Sequence, residues 1–562
     1  MSSQTTVENA LLSELETAFD RSNRDFARAY YLFATAKLNE DYNSSAIYEK
    51  YPVLSDEKTF HALKKLYDAN PGHEETKRMF TSVLGSYIGN QLSAESDEFQ
   101  NLKNKLKVNV EGLDLSDKDG KPLSEVLYED ISEWLKKLDD KTKRQAVYNR
   151  MAEAYTRHLA PRFTELFKKE NKMLADLGYP DVVGFYSATS GHDLPKLAQS
   201  GKALVSQTQE LYTQRMSEFY KKRTGVDFSQ ATRADISYVL HGKLPEMESI
   251  NARFPESNMI PLAQKTFDGL GLDFSTIAQT IDFKTKDDYQ REVVEKTESV
   301  SQSGGARTLR RILLDIAKRE GKRSRAYVYP AQVPAEIYLS VKPEGGLDDY
   351  SAFFHESGHA QHFAYEAPDL SFAKALMGNN TTTEAYAYLM QNLFLNRHWL
   401  ENMAGLSNAE ALQVVSRGAL NDLYMLRRYA SKMQFEVFLY EGINEKASTP
   451  EEVSTRYAEL LTLGCGFVYD QEGWTRDVDA GFYVADYFTA WSLEAQLREY
   501  LCRNFDTKPD TEDWYKNPEA GEFLKALWKD GNLNQKELSA RLGYNNPNDI
   551  GPLVRFMERN LG

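Results

Sequence analysis

Apolar residues recur three and four positions apart along most of this chain, and that period points to a mainly α fold. Ala10 to Phe19, Lys64 to Tyr67, Val126 to Leu138, Arg144 to Leu159, Phe163 to Leu174 and Ile312 to Arg319 all carry it, with charges between the apolar positions. Pro161 separates two of these stretches and predicts a kink or the start of a new helix. Glu384 to Leu400 is apolar almost all round, which predicts a helix buried in a large molecule. With 562 residues, 41% hydrophobic and 12% aromatic, the chain can build such a core, and wholesale disorder is excluded. Loops or hinges are expected at Ser301 to Ala306 (SQSGGA) and Pro343 to Leu347 (PEGGL).

One segment departs from the helical period. Ala335 to Val341 alternates, with Ile337, Leu339 and Val341 on one face and Glu336, Tyr338 and Ser340 on the other. Pro330, Pro334 and Pro343 bracket it, which predicts a short edge strand.

Charge narrows the partners. With 83 acidic against 68 basic residues the formal charge is −15, so the basic footprint of a nucleic-acid binder is missing. No apolar run approaches the ~18 residues of a membrane span, and the first residues lack the pattern of a secretory signal. A cytoplasmic location is expected. Two cysteines, Cys465 and Cys502, are too few for a disulfide framework and read as small buried hydrophobes.

The chemistry lies just after the strand. Residues 353–362 read FFHESGHAQH, containing His355-Glu356-Ser357-Gly358-His359. On a helix, positions i and i+4 lie about 40° apart around the axis, so both imidazoles can bind one small cation. Neutral imidazole suits zinc, and Glu356 on the flank can act as general base on a water. Asp348 and Asp349 suit the helix N-terminus. Gly358 inside the helix costs about 1 kcal/mol against alanine, which predicts another backbone passing close.

A third ligand is needed. Tyr365 stands where the metzincin pattern requires a histidine, so that class is excluded. Glu384 follows His359 by 25 residues, behind the N-cap cluster Asn379-Asn380-Thr381-Thr382-Thr383, and its helix can present the carboxylate to the same cation. Glu366 is the rival, too near in sequence to return easily. His362 is expected in the core or behind the site, and His61, His73, His158, His192, His241 and His398 read as scattered structural histidines.

Arg319-Glu320-Gly321-Lys322, the AEIYLSV strand, FFHESGHAQH and Glu384 together resemble the thimet oligopeptidase and oligoendopeptidase F family of zinc peptidases, gluzincins with a downstream glutamate. The chain resembles the angiotensin-converting enzyme group more distantly. The stretch from Gly521 to Gly531, followed by LGY, is similar to the end of the oligoendopeptidase branch. The resemblance implies a two-lobed helical molecule with a deep channel and a small sheet beside the active-site helix. Residues 1–140 would wall the channel, and 141–562 would form the catalytic part, in one continuous unit. It also implies that Tyr483 and Tyr487 supply transition-state hydrogen bonds. Val478 and Ala490 stand where many members carry a histidine and a further tyrosine.

The expectation is therefore a zinc metallopeptidase with one ion per chain, held by His355, His359 and Glu384, with Glu356 as base. It would cleave short peptides internally, with the strand at 335–341 pairing to the substrate backbone. A zinc carboxypeptidase or dipeptidyl carboxypeptidase is the alternative, with Arg476 or Arg325 holding the substrate carboxylate. A zinc-bearing peptide-binding protein with weak catalysis is the second alternative.

Overall fold

The predicted helices form where the period is backed by a start signal. Lys141–His158 begins behind Asp140, whose carboxylate accepts the Lys143 N–H at 2.9 Å. Ala160–Asp176 follows it with Pro161 in its first turn, so the proline opens a new helix rather than kinking one. Ser3–Thr35 is a single helix and contains the Ala10 to Phe19 stretch. A computed structural model of the chain describes residues 3–38, 42–117, 119–280, 282–298, 309–444, 449–508 and 511–562. The loop expected at Ser301 to Ala306 lies outside the described residues.

Contacts divide the chain into two compact units, both discontinuous. Unit 1 comprises Met1–Tyr87, Glu248–Val415 and Thr489–Leu553; unit 2 comprises Ile88–Met247, Ser416–Phe488 and Val554–Gly562. Unit 2 is helical apart from a short antiparallel hairpin of β1 (Lys107–Asn109) and β2 (Glu125–Leu127). β2 overlaps the stretch read as helical from Val126; a 3₁₀ turn follows at Tyr128–Asp130, and α-helix begins only at Ile131–Leu135.

Unit 1 carries a four-stranded sheet of β3 (Ala278–Thr280), β4 (Ile312–Asp315), β5 (Tyr327–Gln332) and β6 (Glu336–Ser340), in the order β3-β4-β6-β5. Two expectations are corrected here. Ile312 opens a strand, not a helix: Ile312, Leu313 and Leu314 are consecutive buried apolar residues, which a strand covered on both faces accommodates as readily as a helix. The second correction is that β6 is interior. It pairs parallel with β4 and antiparallel with β5, so the edges of the sheet are β3 and β5.

Every residue of β6 is buried, including its polar face. Helix Ser3–Thr35 covers that face: Arg28 clamps Glu336 with two bonds of 2.9 and 2.8 Å, and Tyr31 stacks on Tyr338 with ring centres 4.2 Å apart. Ile337 and Leu339 point the other way and are fully buried. The alternation was real, but its polar half met charged and aromatic partners instead of water.

Glu384 to Leu400 is also not one helix. Thr381–Gln391 is α-helical, Asn392–Leu395 tightens into a 3₁₀ turn, and Arg397–Asn402 restarts behind Asn396, whose side chain accepts the Trp399 N–H at 2.9 Å. The burial expected of Glu384 to Leu400 holds throughout except at Gln391, Arg397 and His398, which are half-buried. Among the described residues no helix is long and apolar enough to cross a membrane.

Candidate active site

The motif lies on helix Leu347–Tyr365, in unit 1. Its entry is set by the PEGGL glycines. Gly345 and Gly346 take φ of +88° and +93°, and the Asp349 carboxylate accepts the N–H groups of Glu344 and Gly345 at 2.7 and 2.9 Å. Halfway along, Gly358 lets the Thr381–Gln391 helix cross: a Cβ there would sit 2.7 Å from Ala387 Cα and 2.8 Å from the Tyr386 carbonyl oxygen. The absent side chain is what brings Glu384 within reach of the two histidines.

Three groups then converge. His355 Nε2 lies 3.4 Å and His359 Nε2 3.8 Å from Glu384 Oε2, and the three ligand-type atoms all fall within 4.8 Å of one another. Bonds of ~2.0–2.2 Å to one tetrahedral cation place ligand atoms ~3.3–3.5 Å apart, so the spacing suits such an ion. Glu384 Oε2 is buried with no hydrogen-bond partner, a costly state for a carboxylate oxygen that a bound cation would relieve. The donor set of two imidazoles and one carboxylate fits zinc. Glu366, the rival, is fully buried four residues past His362 and outside this group; burial pushes its carboxyl well above the usual range.

Residues behind the two histidines orient them. His355 Nδ1 sits 2.8 Å from Gln391 Oε1, and an amide oxygen only accepts, so Nδ1 carries a proton and in the neutral ring Nε2 is the bare nitrogen. His359 Nδ1 lies 2.7 Å from Thr383 Oγ1. Burial alone would lower His355, but the Glu384 carboxylate beside it holds its pKa above the ordinary value. Burial drives His359 well below that value, reinforced by His355 and His362. Gln391 escaped the sequence reading, and Thr383 was read only as part of an N-cap cluster, not as a partner of His359. Their signal was positional: Thr383 adjoins Glu384, and Gln391 lies seven residues beyond it, on the same helical face.

Glu356 is half-buried on the flank of the pair. Burial raises its pKa, against the opposing charges of His355 and Arg325, and the Val328 N–H on β5 donates to it. Glu356 therefore stands beside an edge strand. Arg325 is exposed just before β5, whereas Arg476, in unit 2, is paired with Asp470 at 2.7 and 2.8 Å.

Tyr483 and Tyr487 belong to unit 2, at the start of helix Tyr483–Phe505. Their hydroxyls are 3.4 Å apart, Tyr483 is 40% exposed, and Tyr487 stacks on Tyr429. Between them, Asp486 meets the buried His192 at 2.7 Å, a pairing invisible across 294 residues of sequence. Val478 is half-buried and Ala490 fully buried.

A family model described as peptidase family M3 matches residues 134–511, more than half of the chain and all of the site. The chain belongs to peptidase family M3. It is a metallopeptidase, as the motif predicted, and its family is zinc-dependent. A second model, described as angiotensin-converting enzyme, matches residues 2–224. No curated protein matches its sequence. Among solved structures, a PZ peptidase A with an inhibitor shares the fold of this M3 peptidase at a TM-score of 0.55. That match has 15% identity and covers 92% of this chain and 83% of the other.

Proposed function

We propose that this M3 peptidase is an endopeptidase acting on short, extended peptides, with one zinc ion held by His355, His359 and Glu384. The observation that carries this reading is the convergence of two imidazole nitrogens on a buried carboxylate oxygen that has no other partner. When bound, zinc supplies Lewis acidity, polarising the scissile carbonyl and lowering the pKa of water toward ~7.

This chain's own residues supply the rest. Glu356, with its raised pKa, takes a proton from the attacking water and returns it to the leaving amine. The outer edge of β5 takes the substrate backbone, in place of the 335–341 strand, whose edges are both occupied. Such pairing reads backbone rather than side chains and requires a substrate free of its own structure. Tyr483 or Tyr487 donates a hydrogen bond to the carbonyl oxygen as charge develops on it.

The test is turnover of an internally quenched peptide with chelator and after zinc is restored, with the product ends mapped by mass spectrometry. Internal cuts are expected, and the same segment inside a stable folded protein should stay intact. Release of only one or two C-terminal residues would favour the carboxypeptidase reading, which exposed Arg325 beside Glu356 supports. A zinc-loaded protein that binds peptide without turnover would be a binding protein.

A further inference from the structure

The two histidines are oriented by different means. Gln391 gives His355 an oxygen that only accepts, so one contact settles the tautomer. Thr383 gives His359 a hydroxyl, which both donates and accepts, and so settles nothing by itself. Something further along must decide which way that hydroxyl points.

His362 is fully buried one turn beyond His359, with Nδ1 3.3 Å from Thr383 Oγ1 and Nε2 3.2 Å from the Gly531 carbonyl oxygen. A carbonyl cannot donate, so Nε2 of His362 carries the proton. A neutral imidazole has one N–H, so its Nδ1 is an acceptor, and the Thr383 hydroxyl must donate to it. The Thr383 oxygen then accepts from His359 Nδ1–H, which leaves the His359 Nε2 lone pair bare toward Glu384. Reversing the chain would set two lone pairs face to face, His362 Nε2 against the Gly531 oxygen.

The carbonyl at the far end is itself held. Gly531 takes φ of +75°, where a Cβ would meet Leu370 Cδ1 and the Lys374 carbonyl oxygen, both at 2.8 Å. Next to it, Asn532 donates to the carbonyls of Met377 at 3.0 Å and Asn379 at 3.2 Å. On the other side of Asn532, the Leu533 carbonyl accepts the Thr382 hydroxyl at 2.7 Å. The 531–533 loop is thereby tied to the first turn of the helix that carries Thr383 and Glu384.

We propose that His362 is a positioning residue: anchored on the Gly531 carbonyl, it orients the Thr383 hydroxyl and so holds His359 in the one tautomer that leaves Nε2 bare toward Glu384. The role assigned to His359 rests on the function proposed above, and the tautomer itself does not. It is therefore read on the metal-free protein, by ¹⁵N histidine NMR, alongside zinc affinity by competition with a chelator.

The wild-type protein should show His359 as the pure Nδ1–H form. His362→Phe, which keeps a ring against Tyr386, and Thr383→Val should mix the tautomers and weaken zinc by about 10–100-fold. Thr383→Ser keeps the hydroxyl and should restore both readouts. A pure Nδ1–H tautomer with wild-type zinc affinity in either of the first two variants would overturn the proposal. If His362→Phe does not fold, the Thr383→Val and Thr383→Ser pair decides alone. Wild-type protein that shows the tautomer but binds no zinc would refute the metallopeptidase site and leave the relay standing.

Discussion

In unit 2 the Asp477 carboxylate accepts from Arg233 at 2.8 Å, from Arg428 at 2.9 Å and from the Tyr457 hydroxyl at 2.5 Å. In unit 1 the Glu384 carboxylate faces two imidazole nitrogens at 3.4 and 3.8 Å, with Oε2 otherwise unpartnered. Both carboxylates are buried. Burial would raise Asp477, but the two guanidiniums hold it well below the usual carboxylate range, so it is a finished network. The Glu384 cluster is an unfinished one. Two basic nitrogens and a carboxylate oxygen share a space that their own hydrogen bonds leave open. Buried charge alone does not mark a site; a buried charge left without its counterpart does.

The contrast breaks most severely at the ligands. His355→Ala and His359→Ala should each abolish zinc retention and turnover, measured as metal per chain and rate of peptide cleavage. Glu356→Gln should keep the metal and lose about 10²–10⁴-fold in rate, because only proton transfer is removed. Zinc loss in that variant would mean that Glu356 and Glu384 have been assigned each other's roles.

Stability should respond in the opposite sense. Asp477→Asn leaves two buried guanidiniums without their counter-charge and should cost about 3–5 kcal/mol in urea unfolding. Glu384→Gln, measured on metal-free protein, should cost far less or raise stability, since no guanidinium is left buried without its counter-charge. Equal losses in the two would erase the distinction between finished and unfinished clusters.

The tyrosines extend the comparison to unit 2. At least one of Tyr483→Phe and Tyr487→Phe should lower kcat by about 10²–10³-fold, with KM changing much less, because the hydrogen bond strengthens as charge develops. Wild-type rates in both would reduce the pair to packing.

The smallest effect is a slope with pH. Glu436, buried in unit 2, is pushed up to about 8 by burial, against Lys432 and with Asp479 and Asp477 adding to the rise. Its folded value exceeds the ordinary 4.5, so the proton favours the folded state. That contribution is complete below about pH 4.5 and is lost as pH rises through about 8. Urea midpoints taken from pH 5 to 9 should fall more steeply for the wild-type protein than for Glu436→Gln. Parallel curves would show that the carboxyl is solvated.

The sequence by itself determined the chemistry and most of the helices. A four-residue spacing puts His355 and His359 on one face whatever surrounds them, since the period belongs to the helix. Gly358 announced a close helix crossing because a costly glycine needs a reason, and the count of candidate ligands pointed to Glu384, which the fold brings to the two histidines. What only the tertiary structure decided depends on partners distant along the chain. The alternation at 335–341 looked like an edge strand, yet whether its polar face met water or Arg28, 308 residues away, is not a local property. The same holds for β5 rather than β6 as an edge strand, for Gln391 behind His355, and for the route from His359 through Thr383 and His362 to Gly531, 169 residues beyond His362. A side chain's type and spacing set what it is able to bind; only folding brings together the groups that decide which way its proton points.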